Sequence, residues 1–196
     1  MAIRKLAVNH DFPPQWYILD KKHIFWRPML FNRMIVVDTH WQSLCEWKDN
    51  GDARYIGATV SNNRDHEQME LFMKNASPDI IQVNYSIGEP QAELRILPLA
   101  ESLGIAVLTN RPFMNGSFFQ HIQGHNLPEW AMEFDCESRA QFTLKYTLSN
   151  PAVTCALTET TSPGHMLDNI GASFGRLPDS EIRLKMRARY ESMATG

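Results

Sequence analysis

The sequence predicts an α/β fold built on a parallel sheet, and three observations carry that reading. From about residue 35 onward, short β-branched runs alternate with amphipathic helical runs. Successive strands lie roughly one βα unit apart, which leaves room for the crossover helix that parallel strands need. Polar residues gather at the carboxyl ends of those strands, the edge at which parallel α/β sheets hold ligands.

The series begins with "MIVV" (34–37), read as a strand, followed by a helix near "THWQSLCEWKDNG". There Trp41, Leu44, Cys45 and Lys48 share a face, and Gly51 supplies the stop. "RYIGAT" (54–59) is the next strand. In "RDHEQMELFMKNA", Asp65 is the cap, and Met69, Phe72 and Met73 form a core stripe at helical spacing. The strand "IIQVNYS" (80–86) follows. The run "EPQAELRILPLAESLG" then sets Leu94 and Leu97 on one side and ends at Gly104, with Pro98 expected to bend the helix. "IAVLTN" (105–110) precedes an aperiodic stretch, 111–127, read as a long loop. Helices near "PEWAMEFD" and "SRAQFTLKYTLSNP" lead to a last strand, "VTCALTET". Ser162 and Pro163 then stand at the N-cap and first position of a helix, and "PDSEIRLKMRARYESM" closes as a charged surface helix. The pieces "LAV", "WYIL" and "HIFW" have no helical runs between them. The chain therefore divides into an irregular segment, 1–35, and a repeat domain, 36–196.

Bulk composition narrows the function classes. A chain of 196 residues with 43% hydrophobic content holds one medium domain. The net charge of −3 has no basic stripe behind it, so neither nucleic acid nor an anionic membrane is an expected partner. Cys45, Cys136 and Cys155 are odd in number and lie in or beside apolar runs, which fits reduced core thiols and a cytoplasmic setting. No apolar run reaches the roughly 18 residues of a membrane span, and the first residues lack a sustained apolar leader.

Candidate site residues follow from strand ends. Thr59, Gln82 to Ser86, Asn110, Arg111 and Thr158 to Thr161 all fall there; each alone equally suits a capped strand, and together they suggest a ligand edge. Gln82 is the sharpest case, because a glutamine in a core strand needs a partner. His121 and His125 have the four-residue spacing of a helical metal pair. Gly124 and the loop-like surroundings oppose a helix there, no third ligand accompanies them, and no metal is expected. The cluster of Tyr17, Asp20, Lys21, Lys22 and His23 reads as a solvated turn. No phosphate-loop or dinucleotide glycine motif is present.

The ordered set "RYIGAT", "DIIQVNYS", "LPLAESLGIAVLTNRPF" and "AQFTLKYTLSNPAVTCALTETTSPGHMLDNIGA" resembles the C-terminal half of an aldo/keto reductase over roughly residues 38–178. The resemblance implies a partial (β/α)8 TIM barrel, about its last four βα units. The strands would be the fifth to eighth, and "MIVV" is the candidate for the fourth. It further implies NAD(P)H as cofactor and a small aldehyde or ketone as substrate. By that similarity Gln82 would hold the nicotinamide carboxamide, and Thr59 would be the hydroxyl ending the fifth strand. Val60 departs from the usual Asn or His, with Ser61 and Asn62 nearby. Asn110, followed by Arg111, takes the place of a stacking tyrosine, which forgoes roughly 0.5 to 1.5 kcal/mol of ring contact. Near the last strand Thr160 and Asn169 are kept, His165 replaces a frequent Arg, and Glu159 replaces a frequent Lys. That last exchange favours NADH over NADPH.

The family's catalytic Asp, Tyr, Lys and His come from the first half of the barrel, which the resemblance does not cover. The position best aligned with the histidine holds Asn32 or Phe31. No catalytic residue is therefore assigned. The expectation is a truncated, inactive or nearly inactive reductase, or a non-catalytic remnant or interaction module. Its open edges would lead it to self-associate, pair with a complementary half-barrel, or fold poorly.

Overall fold

The computed structural model describes Lys5–Leu6, His23–Trp26 and residues 35–194. Its sheet has six strands in the order β1-β6-β5-β4-β3-β2. They are β1 (Lys5–Leu6), β2 (His23–Trp26), β3 (Tyr55–Thr59), β4 (Ile80–Asn84), β5 (Ala106–Asn110) and β6 (Cys155–Ala156). Every pairing is parallel. The helices are α1 (Ile35–Asp49), α2 (His66–Ala76), α3 (Ile96–Leu103), α4 (Ser117–His121), α5 (Arg139–Leu148), α6 (Pro163–Gly171) and α7 (Ser180–Ala194). The arrangement is a partial TIM barrel: an α/β parallel arc with helices on its outer side.

Two sequence expectations need correction. "MIVV" is not a strand, since Ile35 to Val37 open α1. β-branched residues enter a helix readily when the amphipathic pattern behind them continues, and tertiary context overrides their strand preference. The strand beside β3 is instead "HIFW", His23–Trp26, in register from His23 opposite Tyr55 to Trp26 opposite Ala58. The segment 1–35 therefore contributes β1 and β2 to the sheet and is not irregular throughout. The α1 crossover sits after β2, where strand-by-strand reading placed a strand.

Smaller departures have local causes. Asp65 stands at the N-cap of α2 without a side-chain cap bond, because its carboxylate accepts from Asn62 Nδ2 at 2.6 Å. The run around Pro98 does not bend. It breaks at Arg95 into a 3-10 turn and α3, which leaves Pro98 in the first turn, where its missing N–H costs nothing. Leu94 is consequently exposed while Leu97 is buried. Gly104 (φ 68°) ends α3, and Ser162 caps α6 by accepting from the His165 N–H at 3.4 Å. "PEWAMEFD" forms a 3-10 helix, Glu129–Phe134.

Strand alternation sorts the core. Ile81, Val83 and Val107 turn outward and are fully buried under the helices, packed with Met69, Met73, Ile96, Leu97 and Phe142. Gly57 is required by strand proximity: a Cβ there would stand 1.9 Å from the Ile80 carbonyl oxygen. The C-terminal helix is locked by charge. The Glu93 carboxylate accepts from the hydroxyls of Tyr85 and Tyr146 and from Arg183, whose guanidinium lies 4.3 Å from the Tyr146 ring centroid and donates to Ser149 Oγ at 2.8 Å. Lys145, fully buried, donates to the carbonyls of Phe174 (2.6 Å) and Arg176 (3.0 Å), tying the α6–α7 connection to α5.

Two predictions follow from this packing. Gly57→Ala meets backbone that no rotamer change relieves and is expected to cost about 1–3 kcal/mol; a denaturant midpoint equal to that of the parent would contradict it. Burial pushes the Cys136 thiol up from 9.0 to about 12, and burial with the Glu93 charge pushes the Tyr146 phenol up from 10.0 to about 12. The folded chain thus keeps protons that the unfolded chain gives up. The stability these groups contribute is complete below pH 9 and declines as pH rises to about 12. In melts across this range, Cys136→Ala should flatten the onset of the decline near pH 9.

Candidate functional site

The inner face of the arc, opposite the helices, brings side chains of neighbouring strands into rows. Thr59, Gln82 and Leu108 occupy one row, since Thr59 pairs with Gln82 and Gln82 with Leu108. Asn84 and Asn110 form the next row, nearer the carboxyl edge. Gln82, Leu108 and Asn110 are half-buried there, in contrast to their fully buried outward neighbours. Among the described residues neither the Thr59 hydroxyl nor the Gln82 carboxamide has a hydrogen-bond partner.

Asn84 is fully buried and organises this edge. Its Nδ2 donates to Asn63 Oδ1 at 2.7 Å and Glu89 Oε2 at 3.3 Å. Its Oδ1 must therefore be an acceptor, and His66 Nε2, 2.9 Å away, carries the proton. Glu89 in turn receives Arg111 in a forked pair, Nη2 to Oε1 at 2.6 Å and Nε to Oε2 at 3.1 Å. One polar network thus joins the loops that follow β3, β4 and β5. Asn110 adds a second link, with Nδ2 donating to the Val60 carbonyl at 2.8 Å, while its Oδ1 is buried and unpartnered. Backbone strain concentrates beside it: Arg111 (φ 56°), Met114 (φ 53°) and Asn115 (φ 57°) are three of the five non-glycine residues with positive φ among the described residues.

The structure gathers Thr59, Gln82, Asn110 and Arg111. It carries Thr160, His165 and Asn169 separately, on the β6–α6 connection and α6, without a hydrogen bond to the first group among the described residues. Thr160 Oγ1 accepts from the Ser162 N–H at 3.2 Å, His165 is exposed and Asn169 is buried. His121 does end a helix, but its Nδ1 bonds the Tyr190 hydroxyl at 2.9 Å, and His125 lies beyond the helix. Among the described residues no group of three or more His, Cys, Asp or Glu side chains is placed to hold a metal, and no helix is long and apolar enough to cross a membrane. Sequence reading included Asn84 only within the strand-end run Gln82 to Ser86 and gave no role to Glu89, His66 or Asn63. Asn84 had a visible signal, a polar residue between Val83 and Tyr85 on a core strand. Glu89 had none.

The model of the aldo/keto reductase family matches residues 5–186. The chain belongs to the aldo/keto reductase family. A comparison with curated proteins finds no match. Among solved structures, a thermostable aldo-keto reductase crystallised with the inhibitor epalrestat superposes with a TM-score of 0.64 at 17% identity, covering 88% of this chain and 60% of its own. The Bacillus halodurans aldo-keto reductase in apo form gives 0.63 at 18% identity over 88% and 62%. An aldo/keto reductase from Klebsiella pneumoniae in complex with NADP and acetate gives 0.67 at 16% identity over 85% and 57%. The chain thus spans about 60% of the length of these relatives.

In this aldo/keto reductase chain the family match begins in β1, so the segment 1–35 lies largely within the family pattern. The reading of Asn32 or Phe31 as the histidine position rested on "MIVV" as the fourth strand. With β2 in that place, the strand ends at Trp26, and residues 27–34 lie outside the described residues, as do Tyr17, Asp20, Lys21 and Lys22.

The network predicts a localised loss on substitution. Asn84→Leu strands His66, Asn63 and Glu89 and is expected to cost about 1–3 kcal/mol. Amide exchange should accelerate in 60–66, 86–89 and 111–116 before it does in β4; uniform acceleration across the chain would contradict a network that joins these loops.

Proposed function

We propose that this chain is the nicotinamide-holding part of an aldo/keto reductase barrel that lacks its own catalytic set. The observation that carries the reading is the unpartnered Gln82 carboxamide, in register with Thr59 and one row from the buried, unpartnered Asn110 Oδ1. A buried acceptor without a partner, such as Asn110 Oδ1, is rare in folded proteins, and a primary amide ligand offers a donor to it and both a donor and an acceptor to the half-buried Gln82. Gln82 and Asn110 would hold the nicotinamide amide, with Thr59 beside them. Thr160 and Asn169 would serve the adenosine end, where His165 stands in place of the family's usual arginine. When bound, such a cofactor supplies a hydride to a small carbonyl substrate. Two aldo/keto reductase structures from Klebsiella pneumoniae, one with NADP and acetate and one with NADPH, support a nicotinamide cofactor in general.

Glu159, exposed on the connection between β6 and α6, stands where the resemblance places a frequent lysine. Its charge repels a 2′-phosphate, so NADH is the favoured form. The isolated chain is expected to bind without turnover, because loss of general acid catalysis alone costs about a hundredfold to ten-thousandfold. The free cysteines suit a reducing, cytoplasmic setting.

Fluorescence titration tests this reading. NADH should bind more tightly than NADPH, Gln82→Ala should weaken NADH about two- to tenfold, and Glu159→Lys should reverse the preference. Equal or tighter binding of NADPH by the parent chain would overturn the NADH preference, and NADH affinity untouched by Gln82→Ala would overturn the site. Absence of any dinucleotide binding would leave the non-catalytic interaction module as the function.

A further inference from the structure

We infer that Tyr190, on the C-terminal helix α7, is a positioning residue for the carboxyl edge: its hydroxyl fixes where the turn after β5 meets the turn after β4, and so where Asn110 and Arg111 stand. The contact geometry carries the inference, and its consequence for a dinucleotide rests on the function proposed above. Two tight turns meet at this edge. Ser86 and Glu89 exchange backbone hydrogen bonds, each at 3.2 Å, which puts Gly88 at the tip of the turn after β4. After β5, the Met114 N–H donates to the Arg111 carbonyl at 2.9 Å and closes a turn in which both residues have positive φ. The Arg111–Glu89 ion pair joins the two turns once.

Tyr190 joins them a second time. Its hydroxyl lies 2.9 Å from His121 Nδ1 and donates to Met114 Sδ at 3.5 Å, while its ring stacks on Phe118 with centroids 5.8 Å apart. A thioether only accepts and a phenol has one proton, so with that proton on Met114, His121 Nδ1 is the donor to Tyr190 Oη. Gly88 closes the same contact: a Cβ there would stand 2.7 Å from Tyr190 Oη and 2.9 Å from Met114 Cε. Gly88 is not among the glycines with positive φ, so the close approach and not the backbone conformation demands a glycine. Tyr190 is buried, and burial followed by the Glu89 charge pushes its phenol up from the usual range, which keeps the donor proton in place. Strained backbone persists only where its surroundings over-determine it. Glu89 holds Arg111, Thr143 Oγ1 donates to the Pro112 carbonyl at 3.2 Å, and the Tyr190 hydroxyl holds Met114 at the far end of the strained turn. Without that hydroxyl Met114 is free to leave Gly88, and the turn that begins at Asn110 relaxes.

Tyr190→Phe tests this, since it removes the hydroxyl and keeps the ring on Phe118. With isotope-labelled methionine methyl groups, the Met114 signal, assigned by its loss in Met114→Leu, should shift in the variant. The signals of Met186 and Met193, on α7 itself, should stay in place. Amide exchange should accelerate about three- to tenfold in 86–89 and 111–116 but not in 60–66, which the Asn84 network holds, and NADH affinity should fall by a similar factor. Gly88→Ala should give the same pattern by pushing Met114 off Tyr190 while the hydroxyl is still present. The inference is overturned if the folded Tyr190→Phe chain keeps the parent's Met114 signal and its exchange in 111–116, if the α7 methyl signals move together with that of Met114, or if parent and variant bind NADH alike. Should Tyr190→Phe fail to fold, Gly88→Ala decides on the same readouts, and an unchanged Met114 signal there overturns the inference. A parent chain that binds no dinucleotide defeats the function proposed above, and the methyl and exchange results then judge the role of Tyr190 by themselves.

Discussion

The carboxyl edge of this sheet depends on the burial of Asn84. A carboxamide with no solvent access has to meet both its donor and its acceptor demands inside the protein, or the burial costs on the order of a few kcal/mol. Asn84 meets them with His66, Asn63 and Glu89, each from a different side. Those partners lie in the short 3-10 turn after β3, at the start of α2 and in the connection after β4, so satisfying one buried side chain fixes the paths of the chain after β3 and β4. Glu89 passes the constraint on to Arg111 and the strained turn after β5. Gln82 and Asn110 are held in place by a frame that none of their own side-chain bonds would build.

A half-buried charge cluster does the corresponding work on the helix side. Glu93 gathers Tyr85, Tyr146 and Arg183, and so ties the end of β4 to α5 and α7. Burial pushes the Tyr85 phenol well above its usual range, which keeps it a donor to the carboxylate. Tyr85 follows Asn84 directly, with one side chain serving the inner edge and the next serving the outer core. Strand alternation therefore couples the candidate site to the docking of the C-terminal helix through adjacent residues.

Helical periods and caps were the most legible features. Met69 and Met73 bury as their spacing indicates, Gly104 takes the left-handed conformation at the end of α3, and Ser162 with Pro163 starts α6. These depend on residues within one turn of each other. "MIVV" misled because a short β-branched run suits a strand or a helix equally until its neighbours are known. "HIFW" was passed over for the converse reason: without a local helix on both sides it lacks the repeat, and only pairing with β3 makes it a strand. Gln82 was legible as a polar residue in a core strand. The Glu89–Arg111 pair, twenty-two positions apart, left no periodic or motif signature.

By itself, the sequence determined the α/β alternation, the parallel sheet, the family and the residues at the strand ends. All of these follow from local propensity, from the two-residue period of strands and from residue order. Only the tertiary structure decided which strand lies beside β3, that β1 closes onto β6, and which polar side chains among the described residues are satisfied and which have no partner. Those outcomes depend on inter-strand hydrogen bonding and on desolvation. Both act between residues whose separation along the chain is unrelated to their distance in space.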